Sequence, residues 1–145
     1  MLEDVARKIF ELPNVEIASH TFSHPFNWDM RWLESNLIYG EHLNIPGYKL
    51  DYNKEMKGSI DYINTRLAPK GKKVKVFLWS GDANPTEDMV VKIDNLGIQN
   101  LNGGNTTIKK GEESLTNVSP TVCWYKDGVQ VYAPQMNENV YKRVD

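Results

Sequence analysis

Two histidines four residues apart, in the run Ser19-His20-Thr21-Phe22-Ser23-His24-Pro25-Phe26, are the side chains of this sequence best suited to chemistry. Imidazole is a borderline ligand that suits Zn and its first-row neighbours, and two rings on one short segment can grip one ion. A catalytic centre of that kind also needs a third protein ligand and an open position for water. The plainer alternative is a pair of loop histidines bonded to backbone carbonyls. The third histidine, His42, follows Gly40 and reads as a solvated or capping residue.

The elements that must position the pair can be read from periodicity. Leu2, Val5, Ala6, Ile9 and Phe10 form one helical stripe, and Val15–Ser19 reads as a short strand that delivers His20. The stretch from His20 to about Gly47 reads as a long loop, with at most a short helix near Arg31–Tyr39. Met56, Ile60, Ile63 and Leu67 predict a helix over Asn53–Leu67, ended by Pro69-Lys70-Gly71. Val74–Trp79 is β-branched and aromatic, as a buried strand should be. Pro85-Thr86-Glu87-Asp88 offers a capping hydroxyl and two acids to the next helix, which Gly97 closes. Ile98–Leu101 is a further strand, and Asn102–Asn117 a polar loop. Thr121–Tyr125 and Val129–Ala133 predict a hairpin across Lys126-Asp127-Gly128.

Strands alternating with helices imply an α/β fold with parallel strands, here as one domain over residues 1–145. In such folds the functional groups gather where the strands end. That rule selects three loops: His20–Asp29, Ser80–Pro85 and Asn102–Asn105. Asp82, beside Gly81, and the Asn102-Gly103-Gly104-Asn105 run either meet a ligand or simply make turns.

The composition narrows the function. A net charge of −2 and a pI near 5.9 argue against a nucleic-acid binder. No apolar run approaches the roughly 20 residues of a membrane helix. The lone Cys123 excludes an internal disulfide framework and reads as a small buried hydrophobe. There is no serine nucleophile elbow and no phosphate-cradling glycine loop. Met1–Val5 has the features of neither a basic leader nor an apolar signal core. The abrupt opening and closing compositions suit a piece of a longer protein.

The run His20-Thr21-Phe22-Ser23-His24 resembles the metal motif of polysaccharide deacetylases, the NodB-homology group of carbohydrate esterases (family 4). The likeness is closest to the PelA-type branch of exopolysaccharide deacetylase domains. It extends through Ser23-His24-Pro25-Phe26-Asn27-Trp28, Ile45-Pro46-Gly47-Tyr48, Gly58–Asn64, Phe77–Pro85, Asn100–Thr106 and Val131–Tyr141, nearly the whole chain. The resemblance implies a partial, deformed (β/α) barrel with a C-terminal hairpin. It also implies a divalent metal, with Zn preferred, and hydrolysis of acetamide groups on an amino-sugar polymer in an extracytoplasmic, periplasmic setting. His20 and His24 match the two ligand histidines. Asp82 and Asn84 fall in the substrate-groove loop, with Asn102 beside it, and Trp28 and Trp32 either stack on sugar rings or serve as lids of the core. Trp79 and Trp124 read as structural.

The departures are equally specific. The family's ligand and base aspartates precede its histidines, yet Glu3, Asp4, Glu11 and Glu16 do not form that motif. No histidine occurs beyond His42 to act as the acid. The expectation is therefore a fragment of a deacetylase, inactive alone, whose unpaired edges favour a homo-oligomer. The alternative is a glycan-binding domain that keeps the groove without the reaction.

Overall fold

The computed structural model describes residues 1–29, 40–104 and 121–134. The helix expected near Arg31–Tyr39, together with Trp32, Asn105 and the loop onward to Asn117, lies outside them.

Helix α1 (Leu2–Glu11) forms on the predicted stripe, with Glu3 and Asp4 in its first turn and Lys8 in its last, which complements its dipole. Beyond its end Lys72 Nζ donates to the carbonyls of Phe10, Leu12 and Val15 at 2.9, 2.5 and 3.0 Å. Carbonyls left over at a helix end need such a partner. Phe10 packs on the core, whereas Leu2, Val5 and Ile9 remain exposed.

The second helix is less regular than its apolar spacing predicts. The segment α2 (Ser59–Tyr62) is flanked by π-helical turns at Lys54–Gly58 and Ile63–Leu67. The cause of the first is visible in Ser59. Its hydroxyl bonds back to the Glu55 carbonyl at 2.7 Å, the acceptor that its own amide would take in an α-helix. The Ser59 amide bonds to Lys54 O instead, five residues back. A fold-specific contact accompanies this shift, because Ser19 Oγ lies 2.7 Å from Ser59 Oγ. At the second turn Ala68 N bonds to Ile63 O at 2.8 Å, again a five-residue step. Helix α3 (Glu87–Asp94) starts after Thr86, whose side chain makes no capping bond, contrary to the expected hydroxyl cap. The Thr86 carbonyl accepts the amides of Met89 and Val90 at that end.

Strands β1 (Ala18–Ser19), β2 (Val76–Trp79), β3 (Gln99–Gly104), β4 (Thr121–Trp124) and β5 (Val129–Pro134) form one sheet in the order β1-β2-β3-β5-β4. The pairs β1–β2, β2–β3 and β3–β5 are parallel, and β4–β5 is the antiparallel hairpin. The hairpin thus belongs to the sheet: its second strand extends the parallel series, and its first is an edge. The fold is mixed α/β, and its sheet is open among the described residues.

The core joins Ile17, Val74, Phe77, Trp79, Met56, Ile60, Val90, Ile93 and Ile98 around a cluster of aromatic rings. One polar residue ties its elements together. Buried Asn100 accepts from Trp79 Nε1 at 3.0 Å and donates to Asp94 Oδ1 and Val129 O, both at 2.8 Å. Those three bonds join β2, α3 and β5 to β3. Among the described residues no helix is long and apolar enough to cross a membrane. Asn100→Ala strands an indole N–H and a carbonyl in the interior, so it should cost about 2–4 kcal/mol, measured by urea unfolding.

Candidate functional site

The two-residue ladder of β1, Ala18 to Val76 and Ser19 to Phe77, is too short to set the direction of the chain beyond it. The backbone then turns sharply. Thr21 and His24 both take left-handed backbone angles, with φ of 71° and 59°. Such angles cost of order 1–3 kcal/mol each and persist only where the surroundings enforce them. Three sets of bonds do so here. The Thr21 hydroxyl accepts the His24 amide at 3.1 Å. The buried Glu55 carboxylate accepts the amides of Phe22 and Ser23 at 2.8 and 2.7 Å, the Ser23 hydroxyl at 2.5 Å and the Tyr48 hydroxyl at 2.7 Å. The third set joins this loop to the one after β2.

In that third set Ser80 Oγ donates to Pro25 O at 2.8 Å, and Trp28 Nε1 donates to Ser80 O at 2.8 Å. Asp82 N donates to Phe26 O at 3.0 Å. Gly81, at φ 59°, lies so close that a Cβ there would press into the carbonyls of Pro25 and Phe26. Glycine is required at this position.

The imidazoles of His20 and His24 converge, with ring centroids 5.1 Å apart and planes at 77°. Two imidazoles bound to one tetrahedral ion through nitrogens at about 2.0–2.1 Å would have centroids roughly 5 Å apart. His20 Nδ1 lies 3.1 Å from Leu78 O. A carbonyl only accepts, so Nδ1 carries the proton and Nε2 is the nitrogen left for a ligand. Burial lowers the His20 pKa, and neighbouring His24 lowers it further against the effect of the Leu78 bond. A lowered pKa favours the neutral ring that ligation requires. His24 Nδ1 is buried without a hydrogen-bond partner among the described residues. An orphaned nitrogen of this kind calls for a partner that the described residues do not supply. The pair therefore fits two positions of a metal shell. No group of three His, Cys, Asp or Glu side chains that could hold an ion occurs among the described residues.

Asp82 lies just past β2, at the same end of the sheet as His20. Burial raises its carboxyl, and Asp29 adds a smaller push, while the backbone amides of Asn84 and Trp28 work in the other direction. The residue nonetheless keeps a solvent-exposed edge, and its Oδ1 accepts the Asn84 amide at 3.2 Å in a local turn. Asn84 is exposed beside it. Asn102 lies in β3, in register with Trp79, which places its backbone at the same end.

Trp28 corrects an expectation. Its indole is fully buried, stacked on Tyr52 at 5.6 Å and edge-on to Trp79 at 4.7 Å, so no ring face is available to a sugar. It is the floor under the seam between the loops. Trp79 is core as expected, whereas Trp124, expected to be structural, is 77% exposed. His42 stacks edge-on against Tyr48 at 4.9 Å, and its Nδ1 bonds to Leu43 O at 2.7 Å. Sequence reasoning passed over Glu55. The available signal was a carboxylate adjoining Met56 on the apolar stripe that continues through Ile60 and Ile63.

No protein-family model, curated protein or solved structure matches the chain.

Two outcomes are expected here. Gly81→Ala should destabilise the chain by more than about 2 kcal/mol in urea unfolding, because strain and a backbone clash coincide. For Asp82, the raised folded-state pKa means that its ionised form opposes folding. Its favourable contribution is present below the ordinary value of 3.8 and is lost as pH rises through the folded value. Asp82→Asn should therefore melt at a higher temperature than the parent at pH 7, with the difference closing near pH 3 in thermal scans.

Proposed function

We propose that this chain is part of a metal-dependent polysaccharide N-deacetylase of the NodB-homology type, acting on an N-acetylated amino-sugar exopolymer. The observation that carries this reading is the convergence of His20 and His24, one ring oriented by Leu78 O and the other holding a buried nitrogen that no described residue partners. The resemblance of the surrounding segments supplies the substrate class. On this reading the four parallel strands are part of a deformed (β/α) barrel, and the protein works outside the cytoplasm.

His20 and His24 would hold a divalent ion, with Zn favoured by two neutral imidazoles. Such an ion, when bound, supplies Lewis-acid polarisation of an amide carbonyl and an acidified water. The chain's own residues then have narrower tasks. The Leu78 carbonyl fixes the His20 tautomer, while Asp82 and Asn84 would border the place where a sugar lies, with Asn102 at the next strand. The third ligand, the base that takes the water's proton and the acid that protonates the leaving amine would come from segments outside those described. The second reading, a glycan-binding domain without catalysis, is favoured by one observation: among the described residues no third ligand stands near the pair.

Calorimetry should detect weak Zn binding by the 145-residue chain, removed by His20→Ala or His24→Ala. Tight stoichiometric binding would show that a third ligand is already present. The chain alone should release no acetate from N-acetylated oligosaccharides with any added metal. A longer chain that supplies a carboxylate ligand and a base should release it and lose most of that activity on either histidine substitution. A longer chain that binds the polymer without releasing acetate would favour the second reading.

A further inference from the structure

We propose that Glu55 is the positioning residue of the His20–His24 pair, setting the geometry in which the two imidazoles can share one metal ion. The inference rests on the metal reading above and adds a residue that the histidine motif does not contain. Its basis is where the carboxylate bonds. The two amides it accepts, from Phe22 and Ser23, belong to the only residues between Thr21 and His24. Thr21 and His24 are the two left-handed positions of the turn. One carboxylate oxygen therefore pins the segment that decides how far apart, and at what angle, the rings emerge.

The other oxygen takes the hydroxyls of Ser23 and Tyr48. Tyr48 in turn stacks edge-on to Phe22 at 5.2 Å, and Lys54 Nζ lies over both rings at 4.3 and 4.7 Å. Glu55 is itself held at the base of the turn. It lies in the π-helical segment whose irregularity stems from Ser59, and Ser59 touches Ser19, the residue before His20. A carboxylate on that segment thus reads the end of β1 and the turn together.

Four acceptor bonds on one buried side chain leave no slack, so the metal would meet a preorganised pair rather than a mobile loop. Outer groups that orient metal ligands typically matter about 10–100-fold in affinity. Glu55→Met keeps the volume and removes every acceptor. Glu55→Gln can still accept both amides through its carbonyl and offer its amide to the two hydroxyls.

The test is an NMR titration of the 145-residue chain with Zn, tracking the histidine ring signals, alongside ring-to-ring contacts between His20 and His24 without metal. Glu55→Met should bind Zn at least ten-fold more weakly and lose the ring-to-ring contacts, with its far-ultraviolet circular dichroism unchanged. Glu55→Gln should recover both to within about three-fold of the parent. If Glu55→Met does not fold, Tyr48→Phe, which removes one acceptor bond from the periphery, should show a smaller loss in the same direction. A folded Glu55→Met with parental Zn affinity and intact ring contacts would overturn the proposal. If the parent chain binds no Zn, the metal reading fails by itself. The metal-free ring contacts then decide the role of Glu55, their loss in Glu55→Met supporting it and their retention overturning it.

Discussion

The hydrogen-bonded seam between the loops after β1 and β2 determines where the rest of the site can be. A strand of two residues cannot aim a side chain, because it contributes one short register and an open edge. Ser80 compensates by using both of its oxygens, its hydroxyl toward Pro25 O and its carbonyl toward Trp28 Nε1. Asp82 N closes the seam on Phe26 O, and Gly81 allows the two backbones to approach. Residues 25–28 are thereby fixed to the end of β2, which is itself anchored centrally in the sheet. His24 inherits its position from that anchorage.

A second anchorage comes from the opposite side of the loop, through the irregular helix. A regular α-helix would carry Ser59 N to the Glu55 carbonyl. Moving that bond one residue back leaves the Glu55 carbonyl to the Ser59 hydroxyl, whose oxygen can then accept from Ser19 Oγ in β1. The helix loses regularity and the sheet edge gains a polar contact. Strand, turn and helix then share a buried network of serines, a tyrosine and a carboxylate. In such a network every member is satisfied only when all are in place. This coupling explains how a turn with two left-handed non-glycine residues persists next to the least supported strand of the sheet.

Much of this arrangement was legible in the sequence. Hydrophobic period located α1, β2 and α3, and the strand–helix alternation implied the parallel sheet, with His20 and Asp82 past the same ends of its strands. The hairpin was signalled by Lys126-Asp127-Gly128, although its incorporation beside β3 was not, since strand order depends on contacts between distant segments. The histidine pair was visible as a spacing. Its convergence was expected from the metal reading, but the carbonyl that orients one ring, Leu78 O, 58 residues from His20, was not. Trp28 shows the limit most clearly: a loop tryptophan reads the same from sequence whether it faces a ligand or a core. Glu55 was hidden for the related reason that helical spacing marks a buried face without saying which polar group that face must satisfy.

The strand order has a kinetic consequence. β5 pairs on one side with β4, its near neighbour in the chain, and on the other with β3, which precedes β4. Closing a tight hairpin loses little chain entropy, whereas joining β5 to β3 must close a loop that contains all of β4. The hairpin can thus zip first and dock as a preformed ribbon, presenting the β5 side to the waiting edge of β3. The Asn100 carboxamide, which meets the Val129 carbonyl at the start of β5, would act as the latch that sets the register of that docking. A slip of one residue would move Gln130 from its bond with the Ala83 carbonyl to the opposite face.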